Sequence, residues 1–149
     1  MTAVTFTVPG KPAPQGSKRH VGKGRMVESS QSLGPWRERV AIAAHNAMEN
    51  RPLIDGAVTM RIMFVLPRPK NTPKTFTPRA IKRPDLDKLV RAVLDAVTDT
   101  ILADDSQVVG LRADKRLAEL GEPPHAQIGV QPLPPNGRII TKPEQAGTL

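Results

Sequence analysis

The chain of 149 residues contains no cysteine. Disulfide bonds, thiolate zinc sites and a cysteine nucleophile are therefore excluded. The three histidines lie far apart and lack the spacing of a zinc-binding motif. Aromatic side chains are also scarce, at three Phe, one Trp and no Tyr. This scarcity argues against a protein that binds single-stranded nucleic acid mainly by stacking bases on aromatic rings.

Long apolar segments are missing as well. No apolar run approaches the roughly 18 residues that a membrane span requires, and the N-terminus lacks the charged-then-apolar plan of a signal peptide. We therefore expect no membrane association and a cytoplasmic location. The length predicts a single domain with a modest core.

Acidic residues are absent from two long stretches, 1–27 and 56–84, although the chain as a whole has 14 Asp and Glu against 22 Lys and Arg. The formal charge of +8 makes the chain a candidate nucleic-acid binder, because neutralised phosphates release counterions. The two acid-free stretches contain the candidate DNA-binding residues Lys18, Arg19, Lys82 and Arg83. The alternative is that these four side chains are only solvated loop charge.

The pattern of apolar residues predicts an α+β fold, with a small mixed or antiparallel sheet of about four strands packed with two main helices. Strands are predicted over 4–8, 57–66, 107–112 and 126–131. Gly, Pro and basic residues predict loops over 10–25 and 67–84. Helices are predicted over 36–48, with Pro35 in the first turn, and from Leu86 to Val97, with Asp85 as the N-cap.

Two aspartate pairs follow the second acid-free stretch: Asp85 with Asp87 at the predicted helix start, and Asp104 with Asp105 just before a predicted strand. If that strand pairs beside the helix N-terminus, three or four carboxylates converge. Such a cluster binds Mg²⁺, which activates water and offsets phosphate charge in phosphodiester hydrolysis. The alternatives are that the first pair only caps the helix and that the second is an ordinary turn.

The order of these residues resembles a known family. The RusA family of Holliday junction resolvases has a signature similar to RPDLDKLVRAVLDAV followed by LADDSQV, and its phage and prophage members often start in a way that resembles VPGKPAPQGSKR. The similarity covers roughly residues 4–131. It implies a RusA-like nuclease domain over 1–131, followed by an extended or disordered tail over 132–149.

The resemblance implies a homodimer that binds branched DNA and cuts symmetrically related strands of a four-way junction, leaving 5′-phosphate and 3′-hydroxyl ends. It implies Mg²⁺ as the cofactor, with Mn²⁺ as a substitute, and no small-molecule cofactor. A phage-encoded member would act in the cytoplasm of its bacterial host. By position, the metal-binding and catalytic aspartates are Asp85, Asp87 and Asp105, and Asp104 matches a less essential neighbour.

Two positions depart from the family pattern. Lys88 stands where the family often has Asn, and Arg91 stands at the position of the family's catalytic lysine. Arginine keeps its charge and cannot serve as a general acid, so the hypothesis is that Arg91 or Lys88 stabilises charge in the transition state. Two other functions remain open: a broader nuclease for branched or forked DNA in phage DNA processing, and a basic DNA-binding protein without catalysis.

Overall fold

The structure is a computed structural model in which residues 2–16, 18–21, 25–28 and 31–135 are described, the segments 18–21 and 25–28 by their backbone alone. Of the predicted tail over 132–149, residues 136–149 lie outside the described residues. The strands are β1 (Val4–Pro9), β2 (Lys18–Val21), β3 (Arg25–Glu28), β4 (Val58–Leu66), β5 (Val108–Leu117) and β6 (His125–Pro132). The helices are α1 (Leu33–Met48) and α2 (Leu86–Val97), and a 3₁₀ turn spans Asp105–Gln107.

Four of the strands form one mixed sheet in the order β1-β6-β4-β5. β4 and β5 run parallel, whereas β6 pairs antiparallel with both β1 and β4. β2 and β3 form a separate antiparallel hairpin. The predicted α+β class, with a four-stranded sheet and two main helices, is confirmed.

The core lies between one face of this sheet and the two helices. Alternate residues of β4, such as Ile62 and Phe64, are buried because side chains alternate across a strand. In α2 the buried residues recur every three or four positions, as in Leu89 and Val93, and Trp36 is fully buried in α1. All of these residues belong to one core cluster, so both helices cover the same face.

The opposite face of the sheet carries polar side chains. Thr5, Thr7, Arg61 and Gln127 are exposed there, because each occupies the alternate position to a buried neighbour. No described helix or strand packs on this face. We refer to it below as the open sheet face.

The predicted elements match the observed ones, with two corrections. The prediction of an unbroken loop over 10–25 is wrong, because β2 lies within that range and β3 begins at its end. The predicted strand over 107–112 is too short, because β5 continues to Leu117. Most residues in the last part of β5 are charged (Arg112, Asp114, Lys115 and Arg116), so a search for alternating apolar residues does not detect this part of the strand.

The connection from β4 to β5 determines where the two aspartate pairs lie. Since β4 and β5 are parallel, the chain must return along the sheet between them, and α2 is that return. The N-terminus of α2 therefore lies near the ends of β4 and β5, and its C-terminus lies near their beginnings.

The turn between β5 and β6 is held by an ion pair. Arg116 donates from Nη1 and Nη2 to the two carboxylate oxygens of Glu122, at 2.7 and 2.8 Å. Glu122 also accepts the backbone N–H of Glu119 at 2.9 Å. The hydrogen bonds from Arg116 and then from Glu119 lower the pKa of Glu122 from 4.5 to about 2.

This lowered pKa predicts a pH-dependent stability. The carboxylate stabilises the folded state above pH 4.5, and this contribution is lost as the pH falls from 4.5 through about 2. Wild type should therefore exceed Glu122→Gln in free energy of unfolding at neutral pH, and the difference should shrink over that acidic range. Urea unfolding at a series of pH values measures both. In an Arg116→Gln background, the change in free energy of unfolding caused by Glu122→Gln should depend less on pH. An unchanged pH dependence would contradict the assignment of Arg116 as the group that lowers the pKa of Glu122.

Candidate active site

Asp85 and Asp87 lie at the start of α2. Asp85 is the N-cap residue with an extended backbone, as predicted, but its side chain makes no capping hydrogen bond. Its carboxylate is 54% exposed and lies 3.7 Å from Nζ of Lys88. Asp87 is exposed in the first helical turn. Both carboxylates are thus available to a ligand, at the helix end that favours negative charge.

The backbone that leads into Asp85 is held by a side chain of β5. Lys115 of β5 donates from Nζ to the carbonyl oxygens of Lys82 at 2.9 Å and Pro84 at 2.8 Å. An ammonium group that bridges two carbonyls fixes this part of the chain, because hydrogen bonds from charged donors are the stronger ones. Lys115 therefore positions Asp85 and residues 67–84, which we call the basic segment, relative to the sheet.

The N-terminal segment also reaches this end of α2. The backbone N–H of Gln15 donates to the carbonyl oxygen of Lys88 at 2.9 Å. The β2–β3 hairpin begins three residues later along the chain, and it contains the predicted DNA-binding residues Lys18 and Arg19. The side chains of these two residues lie outside the described residues, and only the path of their backbone is assigned.

The basic segment forms the rim of a cavity next to Asp85. The cavity has a volume of about 620 Å³, and Lys11, Arg79, Lys82 and Arg83 are among its lining residues. These four side chains are exposed and make no hydrogen bond or ion pair with the described residues. They are available to bind an anion.

Arg68 lies in the same loop and has a different role. Its guanidinium donates to the side chain of Thr77 at 2.7 Å and to the carbonyl oxygens of Phe76 at 2.8 Å and Ala118 at 3.1 Å. It also donates to the carbonyl of Pro73. Arg68 thus ties the loop to itself and to the end of β5, and its charge is used for structure.

Asp104 and Asp105 flank the start of the 3₁₀ turn before β5. Asp104 accepts the backbone N–H of Ser106 at 2.9 Å, and this hydrogen bond lowers the pKa of its carboxyl group. The predicted turn is therefore present, and Asp104 serves it directly. Asp105 is exposed beside it.

Gln107 holds this acidic turn in place. Its side-chain oxygen accepts the backbone N–H groups of Ala103 and Asp104, at 2.9 and 3.0 Å. Its side-chain nitrogen donates to the carbonyls of Ile54 and Gly56, at 2.8 and 2.9 Å. One amide thus joins the turn to the segment that precedes β4.

The two aspartate pairs do not converge within one chain. The twelve residues of α2 span about 18 Å at 1.5 Å per residue, and the pairs lie at opposite ends of that helix. In the part of the chain that the structure describes, no group of three or more acidic or histidine side chains could hold a metal ion. The strand that follows Asp105 begins beside the C-terminus of α2, so the condition for convergence is not met.

Lys88 and Arg91 lie on the first turns of α2. Lys88 is half-buried near Asp85, and Arg91 is exposed one turn further along without a hydrogen bond or ion pair to a described residue. Asp95, four residues after Arg91 on the same helix, pairs with Arg37 of α1 at 3.6 Å. Arg91 is therefore free to contact a bound phosphate.

A comparison with protein families matches residues 9–131 to the profile of the endodeoxyribonuclease RusA. The chain belongs to the RusA endodeoxyribonuclease family. The matched region contains both aspartate pairs, the β2–β3 hairpin and the basic segment. The chain is also 32% identical over 133 residues to the uncharacterized protein YqaN of Bacillus subtilis (strain 168). The alignment covers 80% of this chain and 91% of that protein.

Membership of the RusA family makes nuclease activity on DNA the general function of the chain. The suggested resemblance is thus confirmed at the level of the family. Among the described residues, no helix is both long and apolar enough to cross a membrane.

Sequence reasoning missed Gln107 and Lys115, which position the two ends of the site. Gln107 stands in the string DDSQV that carries the resemblance, but its residue type alone does not reveal the four groups that it joins. Lys115 is one of several basic residues near the end of β5, and only the structure shows that its side chain reaches the segment that leads into α2.

We predict that Gln107→Ala lowers the free energy of unfolding by about 2 kcal/mol, because four backbone groups lose a partner. Chemical denaturation measures this loss. The matched control is Gln127→Ala, which removes an exposed amide from the open sheet face and should change stability by less than about 0.5 kcal/mol. Equal effects of the two substitutions would show that Gln107 does not hold the acidic turn.

Proposed function

We propose that this RusA-family chain is a Mg²⁺-dependent, structure-specific endodeoxyribonuclease that resolves four-way DNA junctions by paired symmetric nicks with 5′-phosphate ends. The observation that carries the proposal is the pair of exposed carboxylates, Asp85 and Asp87, beside a basic rim whose cations are unpaired. Carboxylates in a DNA-binding surface repel phosphate unless a cation lies between them. Their position is therefore best explained by a metal ion.

The donor groups fit Mg²⁺. This ion takes oxygen ligands and is commonly held by one or two carboxylates together with water and substrate phosphate. Asp85 and Asp87 provide two carboxylates, since neither is used in a capping hydrogen bond. When bound, the ion supplies positive charge that activates water and offsets the charge developing on the phosphate.

The cations around this pair bind and orient the DNA. Lys82 and Arg83 contact phosphates from the rim, and Lys18 and Arg19 of the hairpin also contact the DNA. Arg91 or Lys88 stabilises the negative charge that develops on the scissile phosphate, because a fixed cation interacts more strongly as that charge increases.

The test is cleavage of a labelled four-way junction in Mg²⁺, with linear duplex, three-way and forked DNA beside it. Wild type should nick opposite strands of the four-way junction at symmetric positions, and Asp87→Asn should lower the rate at least about 100-fold while junction binding persists. Asp95→Asn is the matched control, because it changes an aspartate of the same helix that pairs with Arg37 instead.

Each alternative has its own outcome in this assay. Equal cleavage of forks and four-way junctions would favour a broader nuclease for branched DNA. Junction binding without strand breaks in wild type would favour a DNA-binding protein without catalysis. Full activity of Asp87→Asn would overturn the assignment of the metal-binding pair.

A homodimer is part of the proposal, and the separation of the aspartate pairs supports it. A four-way junction has approximate two-fold symmetry, and two coordinated nicks need two sites. Within one chain, α2 spans about 18 Å between the end that carries Asp85 and Asp87 and the end that leads to Asp105. A second copy related by a two-fold axis can bring its own Asp105 to the first copy's Asp85 and Asp87.

The outer edge of β5 is the surface that best suits such a second copy. β5 is an edge strand of the sheet, so one row of its backbone groups has no strand partner among the described residues. Val109 and Leu111, near its beginning, are 64% and 47% exposed. Antiparallel pairing of two β5 strands would place the beginning of each beside the end of the other.

Mixed dimers test whether the site is shared. Asp87→Asn and Asp105→Asn subunits should each be inactive alone. A heterodimer purified through two different tags should regain one intact site and nick a single strand, because one site combines both unchanged aspartates. Two copies of Asp87→Asn carried through the same tagging are the control. An inactive heterodimer would mean that Asp87 and Asp105 act within the same chain.

A further inference from the structure

Ile81 is the most exposed large apolar side chain in the described part of the protein, at 86%. It lies in the segment 67–84, which contains six Lys and Arg residues and no acid. A single exposed apolar residue is ordinary on a protein surface. Ile81 is unusual because its surroundings hold it outward.

The backbone around Ile81 is fixed on both sides. Its N–H donates to the carbonyl oxygen of Arg79 at 3.0 Å, which closes a tight turn. Ala80, within that turn, packs against the core. On the other side, Lys115 holds the carbonyls of Lys82 and Pro84. Ile81 therefore projects from an anchored turn and cannot fold back onto the protein without breaking these contacts.

The neighbours of Ile81 are cations without partners. Arg79, Lys82 and Arg83 are exposed, and their side chains make no hydrogen bond or ion pair with the described residues. An apolar tip flanked by free cations matches the chemistry of nucleic acid, in which apolar base faces lie between rows of phosphates. An apolar protein surface would leave these charges without partners.

We propose that Ile81 is a wedge that inserts between bases at a DNA branch point, while Arg79, Lys82 and Arg83 bind the adjacent phosphates. The inference rests on the proposed function and adds to it the group that selects branched substrates. Side chains such as Ile separate stacked bases at a cost of a few kcal/mol per step. Bases at a branch are already partly unstacked, so the wedge enters a branch more easily than a continuous duplex.

The wedge is also rigidly related to the candidate metal site. Ile81 lies four residues before Asp85, and Lys115 fixes the backbone between them. Insertion at the branch therefore sets which phosphate reaches the carboxylates. A duplex without a branch would bind through the cations and leave its phosphates displaced from the site.

The experiment uses a four-way junction with 2-aminopurine at the branch point, whose fluorescence rises when the base unstacks. It is measured in the Asp87→Asn background, where binding can be followed without cleavage. Ile81→Ser should abolish the rise while changing junction affinity by less than about threefold, because the phosphate contacts stay. Cleavage of the junction by Ile81→Ser in the otherwise wild-type chain should fall about tenfold. Ile81→Leu should restore both readouts.

Ile42→Ser is the matched control, because Ile42 is 54% exposed and belongs to α1 and not to the basic segment. It should behave as wild type. If Ile81→Ser unstacks and cuts the junction as well as wild type does, the wedge is overturned. Loss of dimer by Ile81→Ser in analytical ultracentrifugation would also overturn it and assign Ile81 to a subunit interface. If wild type cuts no branched DNA, the proposed function fails, whereas the fluorescence still tests the wedge in the bound complex.

Discussion

The parallel pairing of β4 with β5 is the constraint on which the arrangement of the candidate site depends. Parallel neighbours cannot be joined by a tight turn, so a helix has to carry the chain back along the sheet. α2 is that helix. Asp85 is its N-cap and Asp87 is its second residue, whereas Asp104 and Asp105 follow its C-terminal end. The length of the helix therefore separates the carboxylates, and one chain alone provides half of the expected cluster.

Basic residues in the described part of the chain have two different physical roles. Arg68, Lys115 and Arg116 donate hydrogen bonds to the protein itself and fix the loops at the ends of β4 and β5. Lys82 and Arg83 remain unpaired among the described residues. The net charge of the chain includes both the paired and the unpaired cations, although only the unpaired ones are available to DNA. Rigid placement of the unpaired cations depends on the paired ones.

Apolar periodicity predicted β1, α1, β4 and α2 closely, because each has one buried face with a regular repeat. The strands β2 and β3 were not predicted, since Gly and basic residues are typical of loops and only their pairing with each other makes these segments strands. The motif placed both aspartate pairs at the correct element boundaries. It could not place them relative to each other, because periodicity gives no information on whether neighbouring strands run parallel or antiparallel.

The position of β6 within the sheet has a consequence for biosynthesis. β6 is the last strand in the chain order of the described residues, yet it lies between β1, the first, and β4. β1 and one edge of β4 both pair with β6. Neither has this partner until residues 125–132 have left the ribosome. During translation the earlier strands therefore keep unpaired edges. The four-stranded sheet is complete only when almost all of the described chain has been made.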